Sequence, residues 1–550
     1  MSNLRIGYQE GCTPRNNVIS FLERVAGSAP ERVALHWLPG EQKAAWLADQ
    51  DTALAHEAMS YGELACAVRA AASGLAQLGI GKDDRVFLFV PMSPALYIAM
   101  FAVQRLGGVA VFIESWARPG SLGQCARLVE AKAIIAPEKA YQFAASAPGL
   151  ELPPIRIVAG PHTAAYDGEL LALAKGRATV PICPVEREDT ALITFTTGSS
   201  GVPKGADRSH RFLAAQHEAI SRDLTYLPGE LDLPAFPVFS LNNLAGGVTT
   251  VIPAVSLAHA SGTDGAFLAA QIRALDIGCC TLSPWLLRSL SAAGVPVPRL
   301  RRAATGGAPI SSDDVAAFRR VASNAQLLIL YGSTEVEPIA HLDAAEMPAE
   351  QGAEGVCVGE LCQGLRARLI RIHREPVSFG GDWQDWEVPR GAVGELVLSG
   401  EHVCRQYYRN PGAFRATKIV EPDGTLWHRS GDLCRQDADG RYWIVGRVHN
   451  AICRGGEWLY PVRPEVLMKR LPFVVRAAYL GLPDAKLGER VVAVAVFSEA
   501  APEDAREHLL AVLSAAGVVV DEFRQVEDIP LDPRHNSKVE YARLREMLDD

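Results

Sequence analysis

A chain of 550 residues with 48% hydrophobic content can bury more than one large core, so a globular protein of several domains is expected. Its 54 basic and 63 acidic residues leave a formal charge of −9, which argues against a general nucleic-acid-binding surface. The eleven cysteines are scattered, with no Cys-x-x-Cys and no paired histidine spacing, a pattern that suits a reducing cytoplasm better than a disulfide framework or a zinc site.

The N-terminal stretch, residues 1–10, lacks the apolar core of a signal peptide. Residues 18–26 read as a helix, 33–37 as a strand and 39–55 as a polar loop or hairpin. From Ser60 an amphipathic helix is expected, because Leu64, Val68, Ala71, Leu75 and Leu78 recur at close to helical spacing. Residues 86–113 come nearest to a membrane span, but Pro91, Pro94, Arg105, Gly107 and Gly108 break the run. They read as a buried helix between two core strands, and the resulting βαβ rhythm favours a parallel or mixed sheet covered by helices.

Residues 191–195 read as a buried strand that opens into Thr196, Thr197, Gly198, Ser199, Ser200 and Gly201, with Lys204 close behind and a helical stretch over 209–217. Glycines let backbone N–H groups approach an oxyanion, the hydroxyls add donors and Lys204 adds a charge, so a polyphosphate is the expected ligand. Gly205 stands where a Walker A loop carries Ser or Thr after its lysine, so this is no ordinary P-loop. The plainer alternative, a Ser/Gly linker, fits the composition but not the position between a strand and a helix.

This loop resembles the phosphate-binding signature of the adenylate-forming superfamily, which contains acyl-CoA synthetases, luciferases and peptide-synthetase adenylation domains. The resemblance implies an α/β fold. A large N-terminal domain over residues 1–447 would hold two αβ-layered subdomains and a small β-barrel-like subdomain. A small, mobile α+β domain over residues 448–550 would follow and carry the catalytic lysine.

Matches continue along the chain in the superfamily's order. Residues 236–247 read as a strand running into a helix, with Ser240 where the superfamily usually has a pocket histidine. Phe239, Ser240, Asn242 and Asn243 are the expected acyl-pocket residues. Gly306, Gly307, Ala308 and Pro309 end a strand in a turn and resemble the adenine-contacting segment. Residues 327–331 are a strand, and Tyr331, Gly332, Ser333, Thr334 and Glu335 resemble the superfamily's Tyr-Gly-x-Thr-Glu. Thr334 would meet the α-phosphate, and Glu335 would supply a hard oxygen to Mg²⁺. Two β-rich units follow over 355–399, with 373–389 expected as an exposed insertion between them. A hairpin about Asp439 and Gly440 is expected. Beside it, Asp432 would accept the ribose hydroxyls and Arg447 would support ribose or phosphate. His449 takes the hinge position, and Lys538 matches the catalytic lysine, although Ser537 replaces the usual preceding glycine.

The implied reaction joins a substrate carboxylate to the α-phosphate of ATP, releasing pyrophosphate, with ATP, Mg²⁺ and a CoA co-substrate expected. The mostly neutral pocket suits a fatty or other apolar acid. Arg454, Gly455, Gly456, Glu457, Tyr460 and Pro461 resemble a segment of CoA ligases. The alternatives are an olefin-type β-lactone synthetase and a ligase that hands its acyl group to a separate acyl carrier protein. The lactone reading is suggested by the pocket without histidine, by Trp427, His428 and Arg429, and by the residues leading to Lys538. A soluble, cytoplasmic enzyme with no transmembrane segment is expected.

Overall fold

A computed structural model of the protein describes residues 13–112, 119–146, 151–197, 203–255, 263–349, 355–531 and 539–549. Three sheets of eight, fourteen and five strands organise it. In the first, Arg85–Leu88, Val109–Phe112, Ala133–Ala136 and Ile155–Val158 are parallel, and Thr190–Thr197 joins them beside Val109–Phe112. The apolar run is thus, over residues 86–112, two core strands and the helix Pro94–Arg105, which is buried from Leu96 to Arg105 among other helices and the sheet. No helix among the described residues is long and apolar enough to cross a membrane.

The helix Tyr61–Gln77 begins where the sequence pattern puts it. Ser60 Oγ accepts the Glu63 N–H at 3.2 Å, and the Glu63 carboxylate accepts the Ser60 N–H at 2.7 Å, a reciprocal cap. Ser60→Ala is expected to lower stability by about 1 kcal/mol, read as a reduced urea midpoint with an unchanged slope. An unchanged midpoint would mean that packing alone sets this helix start.

The second sheet carries a parallel block of Leu231–Pro234, Thr249–Val251, Cys279–Leu282, Arg302–Gly306 and Gln326–Tyr331. Its edge turns antiparallel at Ala340–Asp343 and continues into Val356–Leu361, Tyr442–Arg447, Leu426–Gln436, Gly394–Gly400 and Leu365–Ile370. The third sheet is built wholly from the tail: Ile452–Arg454, Glu457–Leu459, Val474–Asp484, Gly488–Phe497 and Glu522–Gln525. The core of that sheet includes the fully buried Ile452, Met468, Val491, Leu509 and Leu513.

Four expectations need correction. Residues 39–55 contain the helix Gly40–Ala48, whose one buried side chain, Trp46, meets Phe267 edge-on at 5.1 Å, while Lys43 pairs with Asp264 at 2.7 Å. A helix with so little buried surface carries almost no apolar periodicity to read. The strand before Phe236 stops at Pro234, and Pro237–Gly246 is a helix, opened by Pro237 in its first turn and closed by Gly247 at φ 78°. A second strand, Pro203–Ser209, separates the 196–201 stretch from the helix His210–Asp223. Finally, the 373–389 segment is not simply exposed. Trp383 is 6% exposed and packs against Trp427 at 5.1 Å, so the ring area outweighs the surrounding acids in deciding where the chain lies.

Candidate active site

The C-terminal ends of the parallel strands Arg302–Gly306 and Gln326–Tyr331 lie side by side, with Gly306 opposite Leu330. Ligands of open α/β sheets bind outside such ends. A Cβ on Gly306 would come within 2.4 Å of the Leu330 carbonyl oxygen, so the close strand pairing demands glycine. Gly307 follows at φ 93° with nothing within 4 Å of an added Cβ, and it and Pro309 are exposed. The turn through Gly306, Gly307, Ala308 and Pro309 therefore presents an open backbone edge beside Tyr331.

Tyr331 donates its hydroxyl to Asp432 Oδ2 at 2.5 Å, and Arg447 Nε reaches Asp432 Oδ1 at 2.9 Å. Asp432 and Arg447 are direct cross-strand partners of Leu426–Gln436 and Tyr442–Arg447, which is how residues fifteen apart in sequence face each other. Burial first, and then the Asp432 carboxylate, hold the Tyr331 phenol well above its usual range, so it remains a donor. His449 follows directly, exposed in the short 3₁₀ turn Val448–Asn450 that leads into the third sheet.

Beyond Tyr331, the chain turns through Gly332, Ser333, Thr334 and Glu335. Ser333 is committed to this turn: its carbonyl oxygen and Oγ both accept from the Val336 N–H, at 3.2 Å each, and its own N–H donates to Val336 O at 2.8 Å. Arg208 Nη2 donates to the Thr334 carbonyl at 2.8 Å, and Tyr407 donates to Glu335 Oε1 at 2.7 Å. Beneath Tyr407 lies Lys418, 3% exposed, its ammonium 5.5 Å from the ring centre and 3.0 Å from His428 Nδ1. Burial first, and then Lys418, depress His428 far below its usual range, so a neutral imidazole accepts from the ammonium. Arg208, Tyr407 and Lys418 carry no signal in the sequence, and His428 is visible there only as part of the run Trp427, His428 and Arg429. Tyr407 and Glu335 are 72 residues apart, and only the fold brings them together.

The strands Thr190–Thr197 and Pro203–Ser209 pair antiparallel, with Thr196 opposite Lys204 and Thr197 opposite Pro203. Lys204 thus stands at the head of a strand whose Arg208 ties to the Thr334 turn. Gly198, Ser199, Ser200 and Gly201 lie outside the described residues, as do the Thr196 and Thr197 side chains and all of Lys538. The flanks of Lys538 are described: Leu531 bridges Val539, and Glu540 N–H donates to Pro530 O at 2.8 Å.

Phe239, Ser240, Asn242 and Asn243 are all buried on the helix Pro237–Gly246. Asn243 faces inward and donates to Asp232 Oδ2 at 2.7 Å, a carboxylate that also accepts from the Tyr226 hydroxyl at 3.1 Å. Asn242 lines a cavity together with Phe21, Met100, Phe101, His217 and Leu241. Its Oδ1 accepts from His217 Nδ1 at 2.7 Å, which assigns that ring proton to Nδ1. Burial lowers the His217 pKa, so the ring is neutral. Trp427, His428 and Arg429 are interior residues of one strand: Arg429 pairs with the buried Glu395 at 2.7 Å and donates to the His373 carbonyl at 2.5 Å.

Residues 22–408 match the family described as AMP-binding enzyme. The olefin beta-lactone synthetase of Stenotrophomonas maltophilia (strain K279a) is 31% identical over 553 residues, covering 96% of this chain and 97% of that protein. The feruloyl-CoA synthase of an Amycolatopsis species is 31% identical over 475 residues, covering 83% of this chain and 88% of that protein. In fold, ATP-bound MatB from Rhodopseudomonas palustris aligns with a TM-score of 0.76 at 23% identity, over 97% of this chain and 99% of that one. With the family match spanning most of its length, the chain belongs to the AMP-binding enzymes and is an AMP-forming acid ligase.

Proposed function

We propose that this protein adenylates a β-hydroxy carboxylic acid of apolar character and that the acid's own hydroxyl then displaces AMP to close a β-lactone. The observation that carries this reading is the extent of the likeness to the olefin beta-lactone synthetase, which runs over 96% of the chain, tail included. Two local features support it. Ser240, fully buried, stands where the superfamily usually has a histidine. Another face of the same helix, through Leu241 and Asn242, lines a cavity with Phe21, Met100 and Phe101, where apolar side chains suited to alkyl groups stand beside the polar His217 and Asn242.

In the first step a carboxylate oxygen attacks the α-phosphorus of ATP, the bond to the β-phosphate oxygen breaks, and pyrophosphate leaves. The chain's part is to align these groups and spread their charge. Adenine would lie along Gly306, Gly307, Ala308 and Pro309 beside Tyr331. The ribose hydroxyls would donate to Asp432 with Arg447 alongside. Thr196, Thr197, Gly198, Ser199, Ser200, Gly201 and Lys204 would hold the β- and γ-phosphates, and Thr334 the α-phosphate. Glu335 would hold Mg²⁺, which when bound neutralises phosphate charge. The fit is chemical: among the described residues only Tyr407 bonds this carboxylate, through Oε1, so Oε2 is left as a hard ligand. Lys538 would meet the carboxylate and the α-phosphate, on a tail domain over residues 448–550 that turns about His449.

In the second step the β-hydroxyl oxygen attacks the acyl carbon, the bond from that carbon to the phosphate oxygen breaks, AMP leaves and the hydroxyl proton passes to solvent. A CoA ligase is the second reading. It is favoured by the likeness to a feruloyl-CoA synthase and by the tight turn at Gly455 and Gly456, both at positive φ, within the segment that resembles CoA ligases. Incubation with ATP, Mg²⁺ and fatty or β-hydroxy fatty acids, with and without CoA, separates the two by mass spectrometry. The expected product has lost water from a β-hydroxy acid and needs no CoA. Products that form only with CoA and carry it would overturn the lactone reading, and acyl transfer only to an added carrier protein would do the same.

A further inference from the structure

Away from the nucleotide site, three different donor types from three separate elements converge. Asp223 is the last residue of the helix His210–Asp223, His341 lies in the strand Ala340–Asp343, and Cys362 directly follows the strand Val356–Leu361. Cys362 Sγ lies 3.1 Å from Asp223 Oδ2 and 3.7 Å from His341 Nδ1, and His341 Nδ1 lies 3.5 Å from Asp223 Oδ2. All three atoms fall within 4.8 Å of one another. Tetrahedral zinc, at about 2.3 Å from sulfur and about 2.0–2.2 Å from nitrogen and oxygen, requires ligand-to-ligand edges of about 3.3–3.6 Å. The three separations bracket that range without any backbone movement.

We propose that Asp223, His341 and Cys362 form a binding site for a divalent zinc ion, with solvent as the fourth ligand. The accessibility pattern suits this. Cys362 is 2% exposed and the Asp223 side chain 11%, whereas the His341 side chain is 37% exposed, so one side of the cluster opens to water. The donor set of thiolate, imidazole and carboxylate is one that zinc accepts and that Mg²⁺ or Ca²⁺ does not favour. On binding, the Cys362 S–H bond gives way to an S–Zn bond and the proton passes to solvent.

The site would act as a clamp. The helix ending at Asp223 follows directly on the strand that carries Lys204 and Arg208, and His341 sits opposite Leu330, next to Tyr331, in the neighbouring strand. Along the same seam Gln216 Nε2 donates to Glu337 O at 3.2 Å, and Arg222 Nη1 donates to Gln363 O at 3.0 Å. An ion at the cluster would therefore join the phosphate-loop side of the molecule to the Tyr331 side, behind the Thr334 and Glu335 turn.

The test uses the full-length protein stripped with a chelator and then given Zn²⁺ or Co²⁺ alone. The expected result is about one zinc ion per chain, a raised melting temperature, and a thiolate-to-cobalt charge-transfer band with Co²⁺. Cys362→Ser should abolish that band, and Asp223→Asn, which keeps shape and hydrogen bonding, should weaken zinc at least about tenfold. Circular dichroism of the stripped variants checks that they fold. Zinc uptake that is absent in the wild type, or equal in the wild type and Cys362→Ser, would overturn the proposal. In that case the Cys362 thiol only satisfies the Asp223 carboxylate.

Discussion

Lys538→Ala is expected to slow acyl-adenylate formation by about 10²-fold or more, the loss typical of one preorganised charge stabiliser. The readout is pyrophosphate release or ATP–pyrophosphate exchange with a competent acid. The proposed role places the ammonium between the attacking carboxylate and the α-phosphate, where negative charge accumulates in the transition state. The described residues on either side are anchored on their own contacts. Val539 bridges Leu531, and the helix Tyr541–Asp549 anchors Leu544 and Leu548 in the core of the tail sheet. Replacement by alanine should therefore leave the melting temperature nearly unchanged while the first half-reaction collapses. Pyrophosphate release at the wild-type rate would remove Lys538 from the mechanism.

The second large effect is expected at Asp432. Its two oxygens already meet the Tyr331 hydroxyl and Arg447, so the carboxylate is held in place for the ribose proposed to bind there. Hydrogen bonds to a charged group contribute about 1.5–3 kcal/mol each. Loss of two such bonds to the proposed ribose predicts that Asp432→Ala lowers kcat/KM for ATP by roughly 10²- to 10⁴-fold. The loss should appear mainly in KM, because the ribose is held similarly in ground and transition states. Asp432→Asn separates this from simple destabilisation. It preserves volume and packing, and it should still raise the KM for ATP. Weakened folding with an unchanged KM would make Asp432 a structural partner of Tyr331 and Arg447 only.

The local signals in the chain proved uneven in a physically consistent way. Strongly periodic segments, such as the helix Tyr61–Gln77 and the strand Gln326–Tyr331, announce themselves because one face or both are buried. The helix Gly40–Ala48 buries only Trp46 and left no pattern to read. The 196–201 stretch was recognisable from its glycines and hydroxyls, but the strand Pro203–Ser209 behind it was not. Pro203, Lys204 and Gly205 read as loop residues, and it is the ladder with Thr190–Thr197 that holds them extended. Trp383 shows the converse error, a ring in an acidic segment that the core captured.

The same division holds at the site. Sequence alone determined the order of the motifs, the α/β class and the identity of Gly306, Tyr331, Thr334, Glu335, Asp432 and Arg447 as residues worth placing, because each sits in a short run whose chemistry is local. Tertiary structure decided which of them touch and what supports them. Tyr331 and Asp432 lie 101 residues apart, and Arg208 and Thr334 lie 126 apart. It also gave Asn243 and Arg429 buried partners, Asp232 and Glu395, that no local pattern announces. The convergence of Asp223, His341 and Cys362 was equally invisible in a chain whose cysteines show no metal-ligand spacing. The reason is common to all of these. Hydrogen bonds and ligand sets depend on distances of a few ångströms, and sheet pairing can set such distances between residues that no local pattern connects.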